Sequence, residues 1–130
     1  MSAPRLSGTD ILFIGLGGIF GSVLRSWIGH GYEGIFHVPT IAVNIIGASA
    51  LAILYGSQHK LHPQGHHLYM VGFCGSFTTV SLFSHETIQL FENGQVLLAL
   101  ANVVIPVAIA LALVAWIVPH AEESVEEERT

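Results

Sequence analysis

The feature that most constrains this chain is a polar stretch, residues 72–86, inside a segment that is long and apolar enough to cross a lipid bilayer. The stretch contains Gly72, Gly75, a run of Ser and Thr residues, His85 and Glu86. Polar and ionisable side chains at membrane depth are costly unless they face protein or water. Glycine weakens a helix, and non-helical backbone survives at that depth only where protein or a cavity surrounds it. We therefore predict a functional site at an irregular or broken helix.

The composition of the whole chain is that of a membrane protein. Of its 130 residues 52% are hydrophobic and 10% are charged, and the mean hydropathy is +0.64, whereas soluble domains carry about 25% charged residues. The net charge of −5 comes mainly from glutamates near the C-terminus. The scarcity of Lys and Arg argues against a nucleic-acid partner. The single Cys74 excludes an intrachain disulfide.

Apolar segments of sufficient length predict an all-α membrane protein with four transmembrane helices. The predicted helices cover residues 9–28, 39–55, 68–91 and 96–118. Residues 1–8 are expected to form a polar arm, residues 9–119 the transmembrane domain, and residues 120–130 an acidic, disordered tail. Pro119 is expected to end the fourth helix. The third helix carries the polar stretch and is expected to be broken near mid-membrane.

Small and polar residues also occur in the other predicted helices. Gly17, Gly21 and Arg25 follow one another at intervals of four, so the two glycines lie on one face and allow another helix to approach closely. Arg25 lies near the helix end, where a snorkelling arginine is common. Asn44 lies near the middle of the second helix, and a hydrogen bond between helices would explain it without any further role.

Two sets of residues that include histidine raise the question of metal binding or catalysis. The link before the third helix contains His59, His62, His66 and His67. No Cys or carboxylate joins them and their spacing matches no closed zinc pattern, so a solvated loop is the favoured interpretation. His85 and Glu86 are adjacent, but consecutive helical residues point about 100° apart and do not converge on one substrate. We therefore predict that the protein is not an enzyme.

Residues 72–86 resemble the signature of the Fluc (CrcB) fluoride channels, roughly G-F-C-G-G-x-T-T-F-S-T-F-S-x-E. The first helix is similar to that family's pattern G-G-x-x-G-x-x-x-R at Gly17, Gly18, Gly21 and Arg25. The second helix is similar to its pattern G-T-L-x-x-N-x-x-G at Thr40, Asn44 and Gly47. The resemblance covers nearly the whole chain except the polar arm and the acidic tail.

This resemblance implies a passive channel that exports cytoplasmic fluoride and lies in the lipid of the bacterial inner membrane. It also implies a dual-topology dimer of two antiparallel copies, with two fluoride pathways and one central, structural sodium ion at the dimer interface. By motif, the pathway residues are Asn44, Ser81, Phe83, Thr79, Val80 and Asn102. Arg25 and Glu86 are expected at the pathway ends or in support. The backbone carbonyls of Gly75 and Thr78 are expected to hold the sodium ion.

The chemistry of these residue types suits such a pathway. Fluoride is small and strongly hydrated, so a dry pore must replace its water with donors, which the Asn44 amide and the Ser81 hydroxyl can supply. The electropositive ring edge of Phe83 offers a weaker contact. Conduction needs binding that is strong enough for entry and weak enough for release.

The sequence departs from the family signature at three positions. Ser76 replaces a glycine, Val80 replaces the first aromatic of a phenylalanine pair, and Leu82 replaces a threonine. These changes leave open a homodimeric channel or a non-conducting subunit that works with a second, more typical partner. A small proton-coupled exporter with Glu86 as the proton site is a further alternative. It predicts a carboxylate in mid-span and a stripe of aromatics, whereas Glu86 lies toward the end of the third helix.

Overall fold

The computed structural model describes residues 6–32, 34 and 37–127, with side chains described as far as residue 120. Within these ranges the chain is helical and contains no strand. The elements in order are α1 (Gly8–Gly29), α2 (Val38–Gly56), a 3₁₀-helix (Gln58–Lys60), α3 (Pro63–Gly65), a π-helix (His66–Cys74), α4 (Gly75–Phe77), α5 (Val80–Glu92) and α6 (Val96–Glu127). The chain therefore makes four helical passes. The third pass, residues 66–92, consists of the π-helix, α4 and α5, and the other three are α1, α2 and α6.

Three helices are long and apolar enough to cross a membrane, namely Gly8–Gly29, Val38–Gly56 and Val96–His120. Their outer surfaces expose large apolar side chains in quantities that a water-soluble protein does not tolerate. Examples are Ile11, Ile19, Phe20, Trp27, Ile46, Ile53, Leu97, Val104, Leu111 and Trp116. Since lipid is the solvent that suits such surfaces, the protein is an integral, multi-pass membrane protein.

The third pass is interrupted between α4 and α5, inside the polar stretch. Thr78 has φ −78° and ψ 157°, and Thr79 has φ −149° and ψ 119°, so both residues are extended. The Thr78 hydroxyl donates to the Cys74 carbonyl at 3.0 Å, so this carbonyl is hydrogen-bonded where the helix before the interruption ends. The Thr79 hydroxyl accepts from the Leu82 N–H at 3.2 Å and caps α5. The threonine pair thus ends one helix and starts the next.

Helix α1 packs closely against the first half of this third pass. Gly17 and Gly21 are buried, and a Cβ atom at Gly17 would overlap the Leu68 carbonyl oxygen. A Cβ at Gly21 would lie 2.5 Å from the Phe73 carbonyl oxygen. The predicted close approach at these two glycines is confirmed. A capping box between Ser7 and Asp10, which the sequence analysis did not identify, fixes the start of α1.

Helix α6 differs from the sequence-based expectation at its C-terminal end. It continues through Pro119 to Glu127, so Pro119 does not end it, and residues 120–127 are helical rather than disordered. A proline removes one backbone N–H and favours φ near −65°, which lies within the helical range. At Pro119 the helix therefore loses one hydrogen bond and still continues. Pro106 is accommodated inside α6 in the same way.

Candidate functional site

The centre of the candidate site is a reciprocal contact between α2 and the interruption of the third pass. Asn44 Nδ2 donates to the Thr79 carbonyl oxygen at 3.0 Å, and the Thr79 N–H donates to Asn44 Oδ1 at 2.7 Å. One side chain thereby satisfies both backbone groups of a buried residue that belongs to no helix, as a low-dielectric environment requires. We call this contact the Asn44–Thr79 clamp.

The clamp changes the hydrogen bonding of the Gly75 carbonyl, four residues before Thr79. In a continuous α-helix the Thr79 N–H would donate to the Gly75 carbonyl, but here it donates to Asn44. Next to the clamp, Arg25 Nη1 donates to the Thr78 carbonyl oxygen at 3.2 Å. The side chain of Thr78 also contacts Gly47 so closely that a Cβ there would overlap its methyl group. Helices α1 and α2 therefore both hold the interruption in place.

A groove of about 420 Å³ runs along the clamp and opens at the surface of the chain. Its walls come from α2, the third pass and α6 and are mostly aliphatic. The lining residues are Asn44, Ile45, Ala48, Thr78, Val80, Phe83, Pro106, Val107 and Ala110. Val80 is 77% exposed here, and Phe83 supplies the groove's single aromatic ring. The groove brings together four of the residues that the sequence analysis had selected.

A second polar contact lies deeper in the protein, between α2 and α5. Thr40 Oγ1 donates to Glu86 Oε1 at 2.6 Å, and both residues are buried. Glu86 is 5% exposed, and its other oxygen, Oε2, is buried without a hydrogen-bond partner. Sequence analysis assigned Thr40 only to a motif and gave it no role. Its position one turn before Asn44 on α2 was the available signal, because residues four apart share a helical face.

Asn102 lies outside the groove. It is 0% exposed on α6, and its Nδ2 donates to Thr87 Oγ1 at 2.8 Å. The Thr87 hydroxyl in turn donates to the Phe83 carbonyl at 2.8 Å. Asn102 Oδ1 has no partner, and Pro106 cannot supply the N–H that the Asn102 backbone carbonyl would otherwise accept. Sequence reasoning did not identify Thr87.

The other selected residues take several positions. Ser81 is exposed, with its Oγ 3.4 Å from Thr79 Oγ1, and Gly75 is also exposed. His85 is exposed while Glu86 is buried, so the two side chains face different surroundings. At the start of the π-helix, His67 Nδ1 lies 3.1 Å from Asp10 Oδ1. Among the residues with described positions, no three His, Cys, Asp or Glu side chains converge as a metal site would require.

Comparison with known proteins identifies the family to which this chain belongs. Residues 12–118 match the family model described as CrcB-like protein, Camphor Resistance (CrcB). The chain belongs to the CrcB family. The match covers α2, the whole third pass and most of α1 and α6, so the clamp, the groove and the Thr40–Glu86 contact lie inside it. This family consists of transporters rather than enzymes.

Relatives within the CrcB family are similar over most of their length. A protein of Methanocaldococcus jannaschii is 39% identical over 109 residues, which is 81% of this chain and 88% of the relative. A Pseudomonas fluorescens protein is 38% identical over 104 residues, or 75% and 84% of the two chains. A Carboxydothermus hydrogenoformans protein is 43% identical over 89 residues, or 65% and 71%. The first two are named fluoride-specific ion channel FluC and the third fluoride-specific ion channel FluC 1.

Proposed function

We propose that this protein is a fluoride-selective passive channel that exports cytoplasmic fluoride across the bacterial inner membrane and so lowers its toxicity. The active form is an antiparallel, dual-topology homodimer with two pathways, and the interruption at Thr78 and Thr79 is the break of the third helix near mid-membrane. The names of the CrcB relatives support the substrate. The chain's membership of the CrcB family and its four helical passes support the channel architecture.

The observation that carries this proposal is the groove beside the Asn44–Thr79 clamp. An asparagine amide has two N–H groups, and the clamp uses one of them. The second is available to an anion in the groove, where the ring edge of Phe83 adds a weak positive contact. Most of the remaining walls are aliphatic and offer the ion no donor. A second copy of the chain would close the groove on its open side.

The remaining predicted residues lie around the groove and have different roles. Ser81 contributes an exposed hydroxyl beside Thr79. Thr40 and Glu86 form a buried pair at a pathway end, and Arg25 supports the break through the Thr78 carbonyl. Asn102 acts further from the groove, through Thr87 and the Phe83 carbonyl.

A structural sodium ion fits the carbonyl groups at the break. The Gly75 carbonyl does not receive the Thr79 N–H and so has capacity for a cation. The Thr78 carbonyl accepts from Arg25 but has a second lone pair, so it can also contribute. Bound sodium supplies positive charge that compensates backbone oxygens left unpaired at a break. The Arg25 guanidinium opposes a cation at this place by charge repulsion.

Sodium binding therefore depends on Arg25. We expect Arg25→Gln to lower, by about tenfold, the sodium concentration that gives half of the full sodium-dependent stabilisation of the dimer. Removing one nearby like charge is worth roughly 1–2 kcal/mol. The measurement is thermal dissociation of the purified dimer in sodium against N-methylglucamine. If sodium does not change the stability of the dimer in either the parent or the variant, the sodium proposal is contradicted.

Fluoride efflux from liposomes that contain only this protein tests the channel. With valinomycin supplying potassium permeability, we expect fluoride but not chloride to leave, as measured by ion-selective electrodes. Liposomes without protein are the control. No efflux from a well-folded dimer would instead favour the non-conducting partner subunit, and proton-driven cation uptake would favour the exporter.

A further inference from the structure

A polar pocket of about 300 Å³ lies at the end of the bundle that carries the link before α2 and the turn between α5 and α6. It is separate from the groove beside the clamp and shares no lining residue with it. The pocket is lined by Gly34, His37, Gln89, Leu90, Asn93 and Gln95. Four of these six side chains are imidazole or amide groups, and none is a carboxylate. We call it the His37 pocket.

Two helix N-termini and several side chains that can donate hydrogen bonds surround this pocket. His37 precedes the first turn of α2, which receives no hydrogen bond from a capping side chain. Gln95 precedes α6, and its carbonyl accepts the Ala99 N–H at 2.9 Å, as the residue before a helix does. Two helices of 19 and 32 residues thus begin at the pocket. Helix N-termini carry unpaired N–H groups and partial positive charge, which together favour an anion.

The turn satisfies three of the last four carbonyls of α5. The Asn93 N–H donates to the Gln89 carbonyl at 3.0 Å, and the Gln95 N–H donates to the Leu90 carbonyl at 2.9 Å. In contrast, His37 Nδ1 is buried and has no hydrogen-bond partner. The residue as a whole is half-buried, but with its proton on Nδ1 it presents a buried N–H that lacks an acceptor, and a buried unmade hydrogen bond is costly.

The His37 pocket also continues the polar line of the candidate site. On α2, Thr40 and Asn44 lie one turn apart on one face, and His37 immediately precedes the helix, three residues before Thr40. On α5, Gln89 lies one turn beyond Glu86 on the same face. The pocket is therefore one turn outside the buried Thr40–Glu86 pair on both helices.

We propose that the His37 pocket is an outer binding site that holds fluoride, with part of its water, before the ion passes Thr40 and Glu86. His37 Nδ1–H and the Gln95 amide donate to the ion, and the N-termini of α2 and α6 provide the favourable potential. This inference rests on the proposed channel function, but the pocket can be tested without transport.

The test compares His37→Phe, which keeps a ring but removes the donor, with His62→Phe, which changes an exposed histidine in the loop at the other end of the bundle. Fluoride efflux from liposomes is measured over a range of fluoride concentrations. We expect His37→Phe to raise the concentration for half-maximal efflux by about tenfold, as for one lost hydrogen bond to a charged partner. Maximal efflux should be retained, and His62→Phe should match the parent.

Equal half-maximal concentrations in the parent and His37→Phe would overturn the proposal. If the parent does not conduct, the channel proposal fails. Fluoride binding at the pocket is then tested by the ¹⁹F line broadening of fluoride in the presence of the detergent-purified protein. Broadening that falls in His37→Phe but not in His62→Phe supports the pocket, and equal or absent broadening overturns it. If His37→Phe does not fold, Gln95→Leu replaces it, with a similar expected rise of about tenfold, because the Gln95 amide also donates to the charged ion.

Discussion

Two asparagines, one on α2 and one on α6, use their amides in opposite ways. Asn44 bonds through both its nitrogen and its oxygen to the backbone of Thr79. Asn102 is more deeply buried, yet only its nitrogen is bonded and its oxygen has no partner. Sequence reasoning assigned both to the fluoride pathway. Their contacts separate them into a residue that holds the backbone at the break and a residue whose polar group is only half used.

The largest expected effect is therefore at Asn44. Asn44→Leu leaves the Thr79 N–H and carbonyl both buried and unpaired, which should cost about 2–4 kcal/mol of folding stability. Fluoride efflux should be abolished, because the donor in the groove is lost as well. Thermal unfolding in detergent, followed by the fluorescence of Trp27 and Trp116, measures the first effect.

Asn44→Asp separates these two roles. The carboxylate keeps an acceptor for the Thr79 N–H but has no donor for the Thr79 carbonyl or for an anion. We expect efflux to be lost while the stability loss is about half that of Asn44→Leu. Fluoride efflux at the parental rate in either variant would contradict the proposed pathway.

A smaller effect is expected at Val80, beside the clamp. Val80→Phe adds a ring edge to a groove with one aromatic ring and should raise initial fluoride efflux by a few fold, because a ring edge is electropositive and an aliphatic wall offers the ion no such contact. Val80 is 77% exposed in the single chain, so no side chain of the same copy obstructs the larger ring. Val80→Leu is the control for size alone.

Dimer stability measured on the same samples completes this test. A stable Val80→Phe dimer with unchanged or slower efflux would show that the aliphatic wall does not limit conduction. An increase in Val80→Leu equal to that in Val80→Phe would assign the effect to volume rather than to the aromatic edge.

The apolar segments predicted the passes well because hydrophobic length and helix geometry are local properties. Helices α1 and α2 begin and end within about two residues of the prediction, as helix-end assignments usually do. The continuation of α6 beyond Pro119 was not predicted, because a proline signal indicates a lost hydrogen bond and not whether the chain tolerates the loss.

The polar contacts of the site were less accessible to sequence reasoning. Family motifs selected Asn44, Thr79 and Glu86, but no periodicity relates Asn44 to a backbone group 35 residues away. Thr40 and Glu86 are 46 residues apart and meet only because α2 and α5 pack side by side. His37 does not appear in the motifs, and its importance depends on an unpartnered buried atom that only coordinates reveal.

The smallest expected effect, at Asn102, is the strongest test of the comparison between the two asparagines. Asn102→Leu removes a buried oxygen that has no partner, and Thr87 keeps its hydrogen bond to the Phe83 carbonyl. The cost of losing the hydrogen bond from Asn102 to Thr87 and the gain from removing the unpaired oxygen largely offset each other, so stability should change by less than about 1 kcal/mol. Fluoride efflux should stay within about threefold of the parent, because Asn102 lies outside the groove. Thermal unfolding and efflux are measured beside Asn44→Leu. If Asn102→Leu destabilises the protein as much as Asn44→Leu does, the Asn102 oxygen has a partner in the assembled protein, and the two asparagines are alike in holding the structure.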